Sequence, residues 1–254
     1  MDSVNVSSAP NSSHNSPVMQ LKVFLAIVFA SLNLTAQPTP RVVDPGGPDK
    51  APSDAVVLFD GKDLSAWTKR DGSPAGCIAK DAEMHCTTGA GDMVTKMEFK
   101  DAQLHVEFAP PLMPDQQGQL RGNSGVYLHG KYEIQILDSY NNPTYSTGIA
   151  GALYGQAPPL VNAARPPEQW QTYDIVFHGP QCTADGNLAA QGTVTVLWNG
   201  VLAQDHTPIL DSAKACADGK GKDTGPLLLQ DHSGFKGAPN TTMRFRNIWI
   251  RELK

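Results

Sequence analysis

Polar side chains that can transfer protons or hydrogen bond interrupt two segments that otherwise look like apolar β-strands. Glu133 and Gln135 lie two residues apart in one segment, and Arg244 and Arg246 lie two residues apart in the last one. Side chains two residues apart share one face of a strand. Burying such groups in a core costs free energy, whereas lining an open groove leaves them hydrated. The pattern therefore predicts a strand-built groove with acid, base and hydrogen-bonding groups.

The elements that position these side chains are predicted to be short β-strands. Apolar and polar residues alternate at 104–108, 132–136, 194–198 and 243–250, and sustained helical periodicity is nearly absent. Asn199-Gly200 is a strong two-residue hairpin signal. The 23 Gly and 20 Pro fit many tight turns. We predict an all-β fold, a sandwich or jelly roll of two antiparallel sheets with one concave face free for a ligand.

Composition excludes several classes of protein. The chain has 254 residues, 40% of them hydrophobic and 18% charged. It is too apolar for a disordered chain and too polar for a membrane bundle. A formal net charge of −5 argues against a nucleic-acid partner, because nucleic-acid binders usually carry a basic excess.

Residues 1–36 are predicted to be a secretory signal with an N-terminal extension. Lys22 precedes an apolar run at 23–30, and residues 34–36 offer a small-residue cleavage site. The run is shorter than the ~20 apolar residues of a membrane-spanning helix. Met19 is an alternative start, and an uncleaved anchor is the alternative interpretation.

The remainder is predicted to form a leader and a single domain. Residues 37–53 contain five prolines and should form an extended leader. Residues 54–254 should then fold around one core. Once the signal is cleaved, such a chain would be periplasmic or secreted, without membrane attachment.

Four cysteines in an exported chain are expected to form disulfides. Cys77 and Cys86 flank a segment that looks like a hairpin, whose register would bring them together across the strands. Cys182 and Cys216 lie in two segments that look like insertions. We predict the pairs Cys77–Cys86 and Cys182–Cys216, with free thiols as the alternative. Zinc is not expected, because no CxxC spacing occurs.

Several blocks follow one another in a specific order. They are Leu58–Trp67, Asn123-Ser124-Gly125, Tyr132–Asp138, Ala152–Gly155 and Gln230–His232. Together they resemble the 3-keto-disaccharide hydrolase domain family from about residue 58 to residue 250. The resemblance implies a concanavalin-like jelly-roll β-sandwich that acts on sugars oxidised at C3, outside the cytoplasm. The chain departs from the family in its long segment 180–191 and in its cysteine pairs.

A 3-keto-glycoside defines the chemistry that the groove would need. The ketone acidifies the C2 hydrogen, a base removes it, the C1 substituent leaves by β-elimination, and water adds to the enone. The site needs a base near C2, a donor or cation at the C3 oxygen and an acid near the glycosidic oxygen. From residue chemistry, we expect Glu133 as the base and His232, helped by Asp231, as the proton donor. Arg244 or Arg246 would stabilise the enolate.

Further polar residues are expected to bind the sugar. These candidates are Asn123, His129, Gln135, Asp138, Tyr154, Gln156 and Arg246. We expect no cofactor, because no compact metal motif occurs. The alternative is a divalent cation such as calcium that polarises the C3 oxygen. Its possible ligands are Glu133, Asp138, His129 and His232.

The expected partners are an oligosaccharide or glycoside substrate and an upstream sugar 3-oxidoreductase that supplies the ketone. One alternative is an ordinary laminarinase-like glycosidase, whose Glu-x-Asp-x-x-Glu pattern is weakened here by Gln135 at its middle position. Another is a non-catalytic carbohydrate-binding module. Structural roles also remain open, since Glu133 could pair with Arg244 or Lys131, and His232 could simply cap a turn.

Overall fold

The structure is a computed structural model that describes residues 39–47 and 50–253. The chain divides into the units Met1–Arg41 and Val42–Lys254, and the elements below belong to the second unit. The predicted signal segment, 1–36, lies outside the described residues. The leader is not extended throughout, because the backbone N–H of Ser53 donates to the carbonyl of Asp44 at 2.9 Å and closes a loop.

Strands dominate the part of the chain that the structure describes, which also contains one short α-helix. The strands are β1 (Val56–Phe59), β2 (Trp67–Thr68), β3 (Ile78–Lys80), β4 (Glu83–Thr87), β5 (Met93–Thr95), β6 (Ala102–Ala109), β7 (Asn123–Leu128), β8 (Tyr132–Leu137), β9 (Gln171–His178), β10 (Gln181–Cys182), β11 (Leu188–Ala190), β12 (Thr193–Trp198), β13 (Val201–Pro208), β14 (Leu228–Leu229) and β15 (Thr242–Glu252). The helix is α1 (Ser212–Asp218), and the 3-10 helices are Gly118–Leu120, Ser146–Gly148 and His232–Gly234. No helix among the described residues has the length and apolarity needed to cross a membrane.

The strands form two main antiparallel sheets. The eight-stranded sheet runs β13-β12-β9-β6-β15-β4-β3, with β1 paired to β15, and the five-stranded sheet runs β2-β5-β14-β7-β8. A small hairpin, β10–β11, lies apart from both. The sheets form a sandwich, so the predicted all-β fold of two antiparallel sheets is confirmed.

The core lies between the two sheets, because alternate residues of each strand point inward. Phe108, Tyr173 and Phe245 of the larger sheet and Val126 and Ile134 of the smaller one are buried. The Tyr173 hydroxyl donates to the carbonyl of Gln135 at 2.6 Å and thereby ties the sheets together. This inward alternation leaves Glu133 and Gln135 on the outward face of the smaller sheet.

The local turn and disulfide predictions are confirmed. β12 and β13 form a hairpin across Asn199-Gly200, and both residues have the positive φ that this tight turn requires. Cys77–Cys86 closes the β3–β4 hairpin, whose turn residues Asp81 and Ala82 also have positive φ. Cys182–Cys216 ties the β10–β11 hairpin to α1.

Candidate active site

A glycine lies beneath two of the side chains that line a cavity on the outward face of the smaller sheet. Gly125 on β7 pairs with Gln135 on β8, and its carbonyl accepts the N–H of Gln230, which follows β14. A Cβ at Gly125 would lie 2.5 Å from Glu133 Oε1 and 2.7 Å from a ring carbon of Tyr127. The missing side chain thus makes the space that the Glu133 carboxyl group and the Tyr127 ring occupy.

The cavity lined by the Glu133 and Tyr127 side chains has a volume of about 270 Å³. Its lining is polar and includes no Lys or Arg side chain from the described part of the chain. The lining residues are Gln119, Asn123, Tyr127, Glu133, Gln135, Tyr154, Gln230, Asp231, His232, Gly234 and Phe235. A site of amides, hydroxyls and a few ionisable groups is suited to a neutral polyhydroxyl ligand.

Of the carboxyl groups that line the cavity, that of Glu133 has the pKa farthest from its ordinary value. Burial raises its pKa to about 7, although a hydrogen bond from Tyr127 works in the opposite direction. The Tyr127 hydroxyl donates to Glu133 Oε2 at 2.7 Å and accepts from Gln230 Nε2 at 2.9 Å. Burial, with the charge of Glu133 next, raises the pKa of Tyr127, so Tyr127 remains a donor. A carboxyl group that titrates near neutrality can act as a general base or acid.

Three amide oxygens at the site are buried without a hydrogen-bond donor in the described part of the chain. They belong to Asn123, Gln135 and Gln230. The amide nitrogens are already committed, because Asn123 Nδ2 donates to the Gln119 carbonyl at 2.9 Å and Gln135 Nε2 donates to Gln119 Oε1 at 3.1 Å. The oxygens are therefore buried acceptors without a donor, in residues that line the cavity.

Asp231 fixes one wall of the cavity. Its carboxylate accepts the backbone N–H groups of Gly89, Gly91 and Ser233, and also the Ser233 hydroxyl. Burial acts to raise its pKa, but the hydrogen bonds from Gly91, Gly89 and Ser233 lower it overall. Asp231 was expected to help His232, but no hydrogen bond joins the two side chains among the described residues. The Asp231 oxygens hold the backbone, and Asp231 influences His232 through charge.

His232 lines the same wall and stacks on Phe235, with ring centroids 5.0 Å apart. Burial lowers the pKa of His232, and the Asp231 charge partly offsets that effect. The imidazole is therefore uncharged at neutral pH. In this state it carries one N–H donor and one acceptor nitrogen, so it can hydrogen bond to an oxygen between two sugar rings.

The opposite wall is formed by Tyr154. Its backbone N–H donates to the Glu133 carbonyl at 3.0 Å, which places Tyr154 beside β8. Its hydroxyl is 2.6 Å from the Tyr145 hydroxyl, and the two rings meet edge to face. The contact with Tyr145 thus fixes the position of the Tyr154 hydroxyl, and Tyr154 borders the same cavity as Glu133.

The structure does not bring Arg244 and Arg246 to this site. Both alternate with Met243 and Phe245, which point into the core, so the arginines lie on the outward face of the larger sheet. Their guanidinium groups lie over the ring of Trp170, at 5.3 and 4.2 Å. Each also pairs with a carboxylate, Arg244 with Glu83 at 3.2 Å and Arg246 with Glu107 at 2.7 Å. The expected enolate-stabilising role is therefore corrected by their position.

Three other predicted binding residues also lie outside the cavity lining. His129 is buried against Phe99 and Phe177, and its Nε2 bonds to the Lys100 carbonyl at 2.9 Å. Burial lowers the His129 pKa. These contacts give it a packing role in the β7–β8 turn.

Asp138 and Gln156 hold loops. Asp138 is buried and pairs with Arg121 at 2.8 Å. Gln156 accepts the Leu210 N–H at 2.7 Å and donates to Asp211 at 3.1 Å. Asn123, Gln135 and Tyr154 are the predicted binding residues that border the cavity.

Sequence reasoning did not assign Tyr127, Gln230, Gln119 or Phe235 to the site. A usable signal existed for Tyr127, because a turn at 129–130 pairs it with Glu133 across the β7–β8 hairpin. Gln230 and Phe235 reach the cavity through pairing between strands about a hundred residues apart, which local patterns do not reveal.

No group of three or more His, Cys, Asp or Glu side chains in the described residues could hold a metal ion. Two proposed calcium ligands, His129 and Asp138, lie outside the cavity lining. His129 is bonded to a backbone carbonyl and Asp138 is paired with Arg121. The residues that surround Glu133 thus do not form the carboxylate-rich set that calcium prefers.

The fold and the cavity define a β-sandwich protein with a polar, hydrogen-bonding cavity on the outward face of its smaller sheet. The family model for the 3-keto-alpha-glucoside-1,2-lyase-like domain matches residues 54–251, and the chain belongs to this family.

Two solved structures from Parabacteroides distasonis, both provisionally assigned as glycosyl hydrolases, are similar to this chain. One is 42% identical, with a TM-score of 0.78, and the match covers 92% of this chain and 100% of that one. The other is 19% identical, with a TM-score of 0.56 and coverage of 79% and 94%, and supports the fold alone. Among curated proteins, none matches the chain. The family and the first structure support a glycan-processing hydrolase or lyase.

Proposed function

We propose that this protein cleaves 3-keto-glycosides by removing the C2 proton, eliminating the C1 substituent and adding water to the enone. The observation that carries the proposal is the Glu133 carboxyl group, buried over Gly125 with a pKa of about 7. A carboxylate of that basicity is a better proton acceptor than an ordinary glutamate and is still ionised in part at neutral pH.

Glu133 takes the C2 proton in this scheme. The electron pair of the C–H bond forms the C1–C2 double bond as the bond from C1 to the leaving oxygen breaks. Tyr127, whose hydroxyl accepts from Gln230, holds Oε2 in place, and Oε1 lies beside Gly125 without a donor among the described residues. Oε1 is therefore the oxygen that receives the proton.

Two neutral donors serve the oxygens of the substrate. Tyr154 donates a hydrogen bond to the C3 oxygen, and Tyr145, whose hydroxyl lies 2.6 Å away, donates to Tyr154 in this scheme. His232 gives its N–H proton to the departing glycosidic oxygen while its other ring nitrogen takes a proton from a water molecule, so the imidazole stays uncharged. The hydroxide left from that water adds at C1 of the enone, Glu133 returns its proton to C2, and the sum of the steps is hydrolysis.

The cavity offers little support for an ordinary glycosidase mechanism. That mechanism needs two carboxyl groups on opposite sides of the scissile bond. The two carboxyl residues of the lining are Glu133 and Asp231. The oxygens of Asp231 are already taken by Gly89, Gly91 and Ser233. A single free carboxyl group suits elimination next to a ketone.

We also propose a periplasmic or secreted location, with an oxidoreductase upstream that supplies the ketone. The two disulfides are typical of proteins that fold in an oxidising compartment. The elimination needs an acidic C2 hydrogen, so an unoxidised glycoside has to be converted at C3 first.

The test compares a β-glucoside with its 3-keto form. The protein is incubated with each, and release of the aglycone is followed over time. We expect release from the keto form alone. Release from the plain glucoside would instead indicate a glycosidase, and binding without release from either would indicate a carbohydrate-binding module.

A further inference from the structure

Phe235 is an exposed aromatic residue on the wall of the cavity. Its side chain is 48% exposed, which is high for a large apolar group beside a binding site. One face stacks on His232 with an interplanar angle of 24°. The ring therefore lies next to the group that, in the proposed function, protonates the leaving oxygen.

The segment that carries Phe235 is held firmly. Asp231 accepts four hydrogen bonds from Gly89, Gly91 and Ser233 at its start. The Phe235 N–H donates to the His232 carbonyl at 3.2 Å, and the Ala238 N–H donates to the Phe235 carbonyl at 2.9 Å. A ring fixed in this way loses little conformational entropy when a ligand stacks on it.

The strand order gives the direction in which a substrate lies. Glu133 on β8 is flanked by Tyr154, whereas His232 and Phe235 follow β14, and β7 runs between the two. Two strand spacings put β8 and β14 roughly 10 Å apart. When an oxidised ring lies in the cavity with its C2 at Glu133, the group beyond the glycosidic oxygen extends toward His232 and Phe235.

We infer that Phe235 is the platform for the leaving group and favours leaving groups that contain a ring with a flat apolar face. This inference rests on the proposed function for the orientation of the substrate. The ring can be an aryl group or the apolar face of a second sugar, because both offer C–H or π surface to a phenyl ring.

The experiment uses three 3-keto-glucosides that differ only in the leaving group, namely phenyl, methyl and glucosyl. We compare kcat/KM in the wild type, Phe235→Leu and Phe235→Tyr. For each protein we take the ratio of kcat/KM for two substrates and divide it by the same ratio in the wild type. This division removes the intrinsic difference in leaving-group ability between the substrates. Phe235→Leu should lower kcat/KM for the phenyl or the glucosyl substrate roughly two- to tenfold relative to the methyl substrate. Phe235→Tyr keeps an aromatic ring and should bring that relative kcat/KM back to the wild-type value.

A matched control replaces an exposed aromatic residue outside the cavity. Tyr140 is 39% exposed, and Tyr140→Leu should leave all three ratios unchanged. A selective loss with phenyl assigns the platform to aryl groups, and a selective loss with glucosyl assigns it to sugars. An equal change with methyl, or no change in any ratio, overturns the inference.

A binding measurement separates this inference from the proposed function. Calorimetry of the unoxidised phenyl, methyl and glucosyl glucosides needs no turnover. The wild type should bind at least one ring-bearing form two- to tenfold more tightly than the methyl form, and Phe235→Leu should remove that difference. If no keto-glycoside is cleaved but this preference exists, the proposed function fails and the platform stands. If cleavage occurs without any preference, the platform fails alone.

Discussion

Glu133 and Glu107 lie on the outward faces of the two sheets, and their surroundings drive their pKa values in opposite directions. Burial raises the pKa of Glu133 to about 7. Burial also acts to raise the pKa of Glu107, but hydrogen bonds from His105, Asn247 and Arg246 lower it to about 2. The difference comes from the neighbours, since no cation pairs with Glu133 among the described residues, whereas Glu107 accepts from Arg246 at 2.7 Å.

The comparison separates a reactive carboxyl group from a structural one. Glu107 belongs to a closed network in which His105 also bonds to Asp174 at 2.7 Å and stacks on Trp249. Burial acts to lower the pKa of His105, yet its bonds to Asp174 and Glu107 raise it to about 9. Such a network neutralises its own charges. Within residues 39–47 and 50–253, Glu133 has only the Tyr127 donor, so its charge remains available for chemistry.

The largest expected effect is on catalysis. Glu133→Gln should lower kcat for a 3-keto-glycoside by roughly 10²- to 10⁴-fold, because the general base is lost while the shape is kept. Glu107→Gln should leave kcat within about twofold, although it removes the same charge. Steady-state kinetics of the two variants checks this prediction. Equal losses of kcat in both variants would contradict a catalytic role that belongs to Glu133 and not to Glu107.

Gly125→Ala should have the next largest effect. The backbone of Gly125 does not have a positive φ, so alanine fits the strand, but its Cβ would lie 2.5 Å from Glu133 Oε1. Displacing the carboxyl group should lower kcat roughly 10- to 100-fold with the fold retained. Gly47→Ala is the control, because a methyl group there meets nothing within 4 Å. Full activity in Gly125→Ala would argue that Oε1 does not react.

Tyr127→Phe should shift the pH dependence of the reaction. The Tyr127 hydroxyl stabilises the ionised form of Glu133. Its removal should raise the Glu133 pKa above its value of about 7. The acid limb of kcat/KM against pH should then move to higher pH, while the limb for Tyr140→Phe stays in place. An unmoved limb would mean that Glu133 does not control it.

The smallest expected effects are on stability, and they have opposite signs. The folded pKa of Glu107 is below its ordinary value of 4.5, so its contribution is present above pH 4.5 and is lost as pH falls toward 2. Glu107→Gln should therefore cost about 2 kcal/mol at pH 7.

The Glu133 contribution runs the other way. The pKa of Glu133 in the folded protein is above 4.5. Its contribution to the stability of the fold is therefore fully present below pH 4.5 and is lost as pH rises to about 7. Glu133→Gln should gain at most about 3 kcal/mol over the wild type at pH 8 and nothing at pH 4. Urea unfolding of both variants at the two pH values checks the signs. A loss at pH 8 in Glu133→Gln would contradict a buried, unpaired charge.

The sequence predicted the parts of the fold that depend on local pattern. Alternation identified the strands, Asn199-Gly200 identified a hairpin, and spacing identified Cys77–Cys86 as a pair. The same alternation put Glu133 and Gln135 on one face, and the structure adds that this face lines the cavity.

The sequence did not show on which sheet each polar face lies. Arg244 and Arg246 alternate as Glu133 and Gln135 do, but β15 belongs to the other sheet, so a shared pattern did not mean a shared site. Asp231 was expected to serve His232. Its bonds to Gly89 and Gly91 join segments about 140 residues apart, and such contacts depend on tertiary packing alone.

The most direct test of the role of Glu133 is the hydrogen at C2. Aglycone release from a 3-keto-glucoside is measured in single turnovers, with hydrogen or deuterium at C2, for the wild type and Glu133→Gln. We predict that deuterium slows release several-fold in the wild type and that Glu133→Gln releases almost none from either form. Release at the same rate from both forms, or an unimpaired Glu133→Gln, would contradict proton removal from C2 by Glu133.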